Sequence, residues 1–274
     1  MIDLHTHSTA SDGGMTPREL IRHAKEKGLE AVALTDHDVI DGLDDALDEG
    51  EKLGIEVVPG VELSVRSETE THILGYYIDR HDKHLLTELE EAKRVRMMRN
   101  YEYSAKLKNL GFDVTVDEVM ELAGSDMLGR THFAQVMVKK GYVRSIKQAF
   151  DEYLANGRPA YSSLQYFSPR DAVKLIKDVG GYAYVAHLNL IRKSLPELRE
   201  FLSDLKKVGL DGIEGWYTEY TPEQQADYQA LAAELGLKLS GGTDFHAHLK
   251  PHIAIGVGYG NLCIPYSVLE DIRS

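Results

Sequence analysis

The sequence predicts an α/β fold built on a largely parallel sheet or barrel, and three observations support this prediction. Short apolar runs alternate with helical patterns in the first third of the chain, where glycines end the helices. The same alternation resumes after residue 168. A length of 274 residues with 43% hydrophobic content is sufficient to fill one large core.

The first segment contains three predicted strands separated by two helices. One helix begins at Thr16 and Pro17, because threonine caps helices, proline suits the first helical position and Glu19 completes a capping box. Gly28 ends that helix, and a second helix covers residues 42–53 with leucine and alanine on one face. The predicted strands are residues 1–4, 31–34 and 56–58.

The second segment repeats this pattern. Ser168 and Pro169 begin a helix that Gly180 ends, and Pro196 and Pro222 begin two further helices. The strands predicted between and after these helices are residues 182–186, 212–216 and 237–240. The two segments together therefore form a sheet or barrel with helices between its strands.

Residues 81–155 interrupt the alternation, since helix follows helix without a convincing strand between them. The predicted helices are residues 85–110, 115–123, 130–140 and 145–155. We therefore predict an all-helical insertion, residues 81–154, within a barrel formed by residues 1–80 and 155–274. The insertion is either a solvated decoration or a cap that covers a substrate.

Composition excludes several classes of protein. A net charge of −13 and a pI near 5.4 argue against binding to long nucleic acid or to an anionic membrane surface. Cys263 is the only cysteine, which excludes an internal disulfide and a cysteine-rich zinc site. The sequence has no apolar stretch near the ~18 residues of a membrane span, and its first residues lack the basic stretch and apolar run that are typical of a leader peptide. We expect a cytoplasmic protein with no obligate protein partner.

Imidazole and carboxylate side chains cluster at or near the predicted strand ends. His5 and His7 follow the first strand, where residues two apart point the same way, so both rings can reach one ion. Asp244 and His246 repeat this spacing after the last strand. One such pair is weak evidence, but the pattern recurs at nearly every strand. The nine candidate metal ligands are His5, His7, Asp12, His37, Glu62, His72, His187, Asp244 and His246.

This set predicts a cluster of metal ions. The carboxyl ends of parallel barrel strands open onto one face, so the nine side chains are expected to converge there. Nine ligands exceed what a single ion can use, which implies at least two ions, or three with a bridging carboxylate. Imidazole and carboxylate without thiolate suit manganese, iron or zinc. Hydrolysis is the reaction class that such a cluster serves.

The ordered motifs HTHSTASDG, TDHD, PGVE, THILGY, AHL and GTDFH resemble the polymerase and histidinol phosphatase (PHP) superfamily of metal-dependent phosphoesterases. The resemblance covers about residues 1–80 and 155–274. Within the insertion, Gly129-Arg130-Thr131-His132 is similar to the Gly-Arg-Pro-His element of stand-alone bacterial members. Those members include nucleoside 3′,5′-bisphosphate phosphatases with related 5′-end exoribonuclease activity, and enzymes that open small cyclic phosphodiesters.

The resemblance implies a distorted (β/α)7 barrel with the helical insertion over the carboxyl-terminal face of its strands. It also implies three divalent ions, with manganese preferred and iron or zinc as alternatives, bridged by Glu62. A hydroxide bound to these ions would attack phosphorus. The implied ligand sets are His5, His7, Glu62 and Asp244 for one ion, Glu62, His72 and His187 for a second, and Asp12, His37 and His246 for a third.

Five further residues are candidates for contact with the substrate or for proton transfer. Arg130 would hold a phosphate through its guanidinium fork, and His132 would donate a hydrogen bond or a proton. Asp36 is a candidate general acid, although we favour a role in orienting a ligand imidazole. Arg158 and His248 are candidates for lining the pocket.

One basic group has a simpler interpretation. It lies on a helix that also carries several glutamates, so we interpret it as a solvated helical face. Its members are Lys93, Arg94, Arg96 and Arg99.

The leading hypothesis is a phosphoesterase acting on a small phosphorylated metabolite or nucleotide, such as a nucleoside 3′,5′-bisphosphate or a cyclic phosphate. A 5′-end exoribonuclease on short RNA is one alternative. A metal-dependent amidohydrolase or deaminase is another, but these enzymes usually carry a bridging lysine that has no clear counterpart here. A non-catalytic module for polymerase-like assembly is disfavoured, because all nine ligand positions are filled.

Overall fold

Seven strands form a mixed sheet, nearly closed into a barrel, in the computed structural model, which describes residues 1–124 and 127–274. The strands follow one another around the sheet in chain order. They are β1 (Ile2–Asp3), β2 (Ala31–Leu34), β3 (Glu56–Ser64), β4 (His72–Tyr76), β5 (Tyr182–Val185), β6 (Gly212–Tyr217) and β7 (Lys238–Gly242). The α/β prediction, and the distorted (β/α)7 barrel that the resemblance implied, are confirmed.

The direction of one strand differs from the sequence prediction. Strands β1, β2 and β3 pair in parallel, as do β5, β6 and β7, but β4 is antiparallel to both of its neighbours. Only 7 residues connect the end of β3 at Ser64 to the start of β4 at His72, which is too short for a parallel crossover. The sheet is therefore mixed.

Hydrogen bonds between the first and last strands bring the two edges of the sheet together. Leu4 N donates to Gly241 O at 3.1 Å, and Asp244 N donates to His5 O at 2.9 Å. Gly242 permits this approach, because a Cβ atom there would lie 2.3 Å from the Cβ atom of His5. Larger residues at this position would push the last strand away from the first.

Helices surround the sheet and begin where the capping residues predict. Thr16 forms the predicted capping box with Glu19, and Pro17 is the first helical residue. The helices are α1 (Pro17–Glu26), α2 (Leu43–Leu53), α3 (Lys83–Asn109), α4 (Val116–Ala123), α5 (Arg130–Lys139), α6 (Ile146–Ala149), α7 (Pro169–Asp178), α8 (Leu195–Lys206), α9 (Pro222–Leu235) and α10 (Ser267–Arg273). Within the described residues, none is long and apolar enough to cross a membrane.

Alternate residues of the strands face two different apolar clusters. In β2, Val32 and Leu34 pack with residues of α1 and α2, whereas Ala31 and Ala33 pack with strand residues and with α10. The first cluster joins the sheet to its helices. The second lies on the opposite face of the strands.

The segment from α3 to α6 has an apolar cluster of its own, which includes Tyr103, Leu107 and Phe133. We call residues 83–154 the helical segment. Its last predicted helix is a short α6 followed by a π-helical turn, Phe150–Leu154. The first part of α3 instead packs into the barrel's cluster through Leu85, Leu89 and Ala92. Arg96 of α3 adds an ion pair with Asp38 after β2.

Candidate active site

The nine predicted ligands converge at one end of the barrel. His5 and His7 follow β1, His37 follows β2, and His187 follows β5. Glu62 lies inside β3, which continues from the predicted end at residue 58 to Ser64. These positions place the side chains at the rim from which parallel strands present functional groups.

His72 reaches this rim for a reason that the sequence pattern does not contain. It is the first residue of β4 rather than the last. Because β4 runs antiparallel to β3 and β5, its amino end lies beside the carboxyl ends of its neighbours. The reversed strand therefore adds its imidazole to the same cluster.

Two of the strand ends hold unusual backbone conformations. His187 has φ 26° and Asp244 has φ 56°, values in the region that favours glycine. Such conformations persist where the surrounding structure holds them, and they concentrate at functional sites. At His187 and Asp244, this backbone conformation directs the ligand side chain toward the cluster immediately after the strand ends.

Glu62 occupies the centre of the cluster and faces five imidazoles. Its Oε1 atom lies 2.9 Å from His72 Nδ1 and 3.0 Å from His187 Nε2, and these two nitrogens are 3.2 Å apart. Its Oε2 atom lies 3.0 Å from His37 Nδ1 and 3.3 Å from both His5 Nε2 and His7 Nε2. The two oxygens therefore face different groups of histidines, which is the arrangement of a bridging carboxylate.

Two aspartates complete the cluster. Asp12 Oδ1 lies 3.2 Å from His246 Nε2 and 3.9 Å from His37 Nε2. Asp244 Oδ1 lies 3.2 Å from His7 Nε2. Each carboxylate thus faces imidazoles that come from different strands.

Several atoms of the cluster are buried without a hydrogen-bond partner, which is costly unless a cation satisfies them. The ligand set of imidazoles and carboxylates, without thiolate, suits divalent ions such as manganese, iron or zinc. The atoms are His5 Nε2, both ring nitrogens of His7, Asp12 Oδ1, His37 Nδ1, Glu62 Oε2 and His187 Nδ1. These residues fit bound metal.

Three groups in the structure have the spacing to hold an ion. They overlap at His7 and His37, and they differ in part from the sets that the resemblance implies. His187, for example, belongs to none of the three, although it contacts Glu62 and His72. The groups are His5, His7 and Asp244; His37, Glu62 and His72; and His7, Asp12, His37 and His246.

Electrostatics within the cluster favour ionised carboxylates. Burial raises the pKa of Glu62, but the neighbouring His37, His5 and His72 outweigh it and hold that pKa well below its ordinary value. Burial also lowers the pKa of His37 to about 3, so this ring is neutral near pH 7. Burial also lowers the pKa values of His5 and His7, but the neighbouring carboxylates outweigh it, so that the pKa of His5 is well above its ordinary value and that of His7 is about 9. Metal binds the neutral ring, so binding at these two residues requires them to lose a proton.

Two buried acids hold the ligands from behind. Glu214 accepts from His5 Nδ1 at 3.0 Å and from the backbone N–H of His187 at 2.7 Å. Asp36 accepts hydrogen bonds from the backbone and hydroxyl of Ser8 and from the hydroxyl of Ser11. Both acids orient the chain around the ligands.

A cavity opens over the cluster and contains about 1080 Å³ of atom-free space, part of which is open to solvent. Barrel residues form one side, including Glu62, His187 and Asp244. The helical segment forms much of the other side through α3, α5 and the π-helical turn. The part to compare with known ligand sites is about 230 Å³, which is enough for a small molecule.

Arg130 is the predicted substrate contact that lines this cavity. It is the first residue of α5, and its guanidinium forms an ion pair with Glu70 at 2.8 Å. The guanidinium carbon also lies 5.6 Å from the centre of the Phe150 ring and 5.8 Å from that of Tyr161. Arg130 is thus fixed in place by an acid and two aromatic rings.

Four other predicted contacts do not line the cavity, and their roles stay predictions. Arg158 and His248 are exposed outside it. His132 is buried, and its Nδ1 atom accepts from Gly129 N at 3.1 Å at the start of α5. Asp36 uses its carboxylate on Ser8 and Ser11, as described above.

The sequence interpretation of the basic group was wrong for two of its members. Arg96 and Arg99 are only 6% and 5% exposed and line the cavity, whereas Arg94 is exposed. Lys250, also missed, lines the cavity and donates to Asp244 Oδ2 at 2.6 Å. For the two arginines, the spacing along the helix could have predicted burial, because Arg96, Arg99 and Tyr103 continue the buried face of α3.

Comparison with known proteins gives a family and two curated relatives. The model of the PHP domain matches residues 3–212. The chain is 35% identical over 248 residues to a 3′,5′-nucleoside bisphosphate phosphatase of Chromobacterium violaceum, covering 90% of this chain and 87% of that protein. It is 34% identical over 245 residues to a 5′-3′ exoribonuclease of Haemophilus influenzae, covering 89% of each chain.

A solved structure shares the whole fold. It is described as an amidohydrolase from Chromobacterium violaceum, with bound sulfate and no metal. The TM-score is 0.89 at 32% sequence identity, and the alignment covers 99% of this chain and 95% of that one. The barrel and the helical segment therefore occur together in that protein as well.

Proposed function

The chain belongs to the PHP-domain family of metal-dependent phosphoesterases, and from that premise we propose that it hydrolyses a small phosphorylated metabolite or nucleotide, with a nucleoside 3′,5′-bisphosphate as the leading substrate. One observation carries the proposal: the Glu62 carboxylate faces five imidazoles, and unpaired ligand atoms surround it at the floor of a cavity. This arrangement serves metal-assisted hydrolysis.

We propose three divalent ions, with manganese preferred over iron or zinc. The nine ligands would hold them, and Glu62 would connect the ion sites through its two oxygens. Bound ions at such a site activate water and neutralise charge on phosphoryl oxygens. The distribution of orphaned atoms over all sides of Glu62 supports more than one ion.

The chain's own side chains orient this machinery. Glu214 fixes the ring of His5 by accepting from Nδ1, which leaves Nε2 directed at Glu62 and Asp244. Lys250 holds Asp244 through its second oxygen, Oδ2, so that Oδ1 remains directed at His7. The ring of His5 and the carboxylate of Asp244 are therefore each held in one orientation.

Cationic groups line the side of the cavity opposite the ligands. Arg130 can donate its remaining N–H groups to a phosphate while Glu70 holds the guanidinium in place. The helical segment that carries Arg130 also covers part of the cavity. A small phosphate ester fits between these two sides better than extended nucleic acid does, given the net charge of −13.

A substrate screen tests the proposal. After reconstitution with manganese, the products are identified from four substrates: inorganic phosphate from adenosine 3′,5′-bisphosphate and from histidinol phosphate, mononucleotides from a short 5′-phosphorylated RNA, and the ring-opened monoester from a small cyclic phosphate. We expect the highest kcat/KM on the bisphosphate, with loss of activity on chelation and recovery on addition of manganese. Failure to hydrolyse any of the four by protein shown to contain metal would contradict the proposal.

A 5′-end exoribonuclease acting on short RNA is the second candidate. The 34% identity to the Haemophilus influenzae relative favours it. The same screen separates the two candidates, because an exoribonuclease releases mononucleotides from RNA rather than inorganic phosphate. An amidohydrolase is less favoured, because the central bridging position is held by a glutamate rather than by a lysine.

A further inference from the structure

The first and last strands of the barrel meet at a junction that we call the seam. Within residues 1–124 and 127–274, each strand forms a hydrogen-bond ladder with the next one in chain order, but no ladder joins β7 to β1. Individual hydrogen bonds close the seam instead, such as the one from Asp244 N to His5 O. These two ligand candidates lie on opposite sides of the seam, with His5 Nε2 3.8 Å from Asp244 Oδ1. Their spacing therefore depends on the few bonds that hold the seam together.

Asp3, the last residue of β1, spans the seam with a fully buried carboxylate. Its Oδ1 atom accepts from the backbone N–H of His5 at 3.2 Å and from that of Thr243 at 2.9 Å. Its Oδ2 atom accepts from the Thr243 hydroxyl at 2.6 Å and from the backbone N–H of Gly256 at 2.8 Å. One side chain thus holds the backbone of a ligand, His5, and of the residue directly before another ligand, Asp244.

The choice of an acid at this position has a physical reason. Burial of a carboxylate is costly, and no cationic side chain among the described residues pairs with Asp3. The four hydrogen bonds offset this cost. A carboxylate has four acceptor positions, whereas an amide oxygen or a hydroxyl has two. Asp3 is therefore suited to a place where four donors from separate parts of the chain must be brought together.

We propose that Asp3 is a positioning residue for bound metal, because it fixes the backbone on both sides of the seam and so sets the spacing of His5 and Asp244. This inference rests on the proposed function, in which the ligand cluster binds metal ions. The group of ligands nearest to the Asp3 carboxylate is His5, His7 and Asp244. The group that takes no ligand from the seam strands is His37, Glu62 and His72. Loss of Asp3 should therefore weaken the ion at the first group and spare the ion at the second.

Titration of metal-free Asp3→Asn with buffered manganese tests the assignment, with the bound ions counted by mass spectrometry. The amide nitrogen replaces one oxygen and in either orientation faces at least one backbone N–H, so the seam loses hydrogen bonds. At least one ion should bind about 10- to 100-fold more weakly than in wild type, while at least one binds as in wild type. Unchanged affinity for every ion would overturn the assignment. An equal loss for all ions would also overturn it, because that result indicates a general structural role.

Two further variants complete the test. Thr243→Val keeps the shape of the side chain and the backbone N–H but removes the hydroxyl that donates to Asp3. It should weaken the same ion in the same direction, and this result decides the question if Asp3→Asn does not fold. Asp211→Asn is the control, since Asp211 also accepts from a strand, at Ala183 N, but precedes β6 at the opposite end of the barrel. All its ions should bind as in wild type.

The metal titration also separates this inference from the proposed function. If the wild-type protein hydrolyses a phosphate ester and Asp3→Asn binds every ion equally well, the proposed function stands and the role of Asp3 is overturned. If Asp3→Asn weakens one ion selectively but the metal-loaded wild type hydrolyses no ester, the proposed function fails and the role of Asp3 stands.

Discussion

The barrel and the helical segment meet at one cavity but contribute opposite kinds of chemistry to it. The barrel contributes nine imidazoles and carboxylates, and six of them carry buried atoms without a hydrogen-bond partner. The helical segment contributes arginines, two of which are already paired with acids outside the segment. The barrel side is thus built to attract cations, and the segment side to attract anions. Catalytic chemistry and substrate recognition are assigned to different parts of the chain.

The two regions also differ in what holds their functional groups. The barrel ligands follow strands, so the hydrogen bonds of the sheet fix their positions. The arginines lie on helices that share a separate apolar cluster, and these helices reach the barrel both through ion pairs and through Leu85, Leu89 and Ala92 of α3, which pack into the barrel's cluster. Changes in the barrel should therefore affect metal binding and turnover first, whereas changes in the segment should affect docking and selectivity.

The largest expected effect comes from Glu62→Gln on the barrel side. An amide has one oxygen and no charge, so it cannot connect two groups of histidines as the carboxylate does. We expect fewer bound ions per chain and a decrease in kcat/KM of at least about 10³-fold, which corresponds to about 4 kcal/mol. Metal analysis by mass spectrometry and phosphate release provide the two measurements.

Glu56→Gln is the control for this change. Glu56 begins the same strand but bonds to Arg273, Tyr77 and Tyr266, away from the ligand cluster. The metal content and activity of the Glu56→Gln variant should stay near those of wild type. Equal metal content in Glu62→Gln and Glu56→Gln would show that Glu62 is not a ligand.

The next largest effect tests the contact between the two regions. Asp38→Asn leaves the buried Arg96 without its charge partner, and breaking a buried ion pair on one side costs about 3–5 kcal/mol. Urea denaturation should show this loss in the free energy of unfolding. Asp44→Asn, at the exposed pair with Arg80, should cost less than about 1 kcal/mol. Equal losses for the two variants would mean that Arg96 and Asp38 do not join the regions.

Some features of the barrel could be predicted from the sequence, and others could not. The strand-terminal ligands could be predicted, because chain spacing alone places groups at strand ends on one rim. The direction of β4 could not, since an apolar run has no direction and the decisive feature was the short connection before His72. The reversal nevertheless leaves His72 in the cluster, so the ligand position was predicted without the correct topology.

The helical segment was harder to predict because charge and periodicity disagree there. Arg96 and Arg99 were interpreted as solvated because acids surround them in sequence, yet they continue a buried face of α3. His248 was predicted for its closeness to a ligand motif, whereas Lys250, two residues later, lines the cavity. Spacing on a helix identified the cavity side more reliably than residue type or closeness to a motif.

A smaller effect is expected from Glu214, which holds barrel ligands without lining the cavity. Glu214→Ala removes the acceptor for both the His5 ring and the His187 backbone. Residues that orient metal ligands typically change metal affinity by about 10- to 100-fold. Titration with buffered manganese should show this weakening. Glu234→Ala, which removes a surface pair with Arg199, serves as the control, and identical affinities would exclude an orienting role for Glu214.

The smallest expected effect comes from the capping boxes of the two regions, and it tests whether the two regions unfold together. Thr16 and Thr115 form equivalent capping boxes, one on α1 beside the barrel and one on α4 in the helical segment. Each Thr→Ala change should cost about 1 kcal/mol. Because the segment has its own apolar cluster, Thr115→Ala should speed hydrogen exchange in α4 and α5 without affecting the strands. If both variants speed exchange throughout the chain, the segment is part of one cooperative unit, and its influence on the barrel would extend beyond the contacts of its arginines.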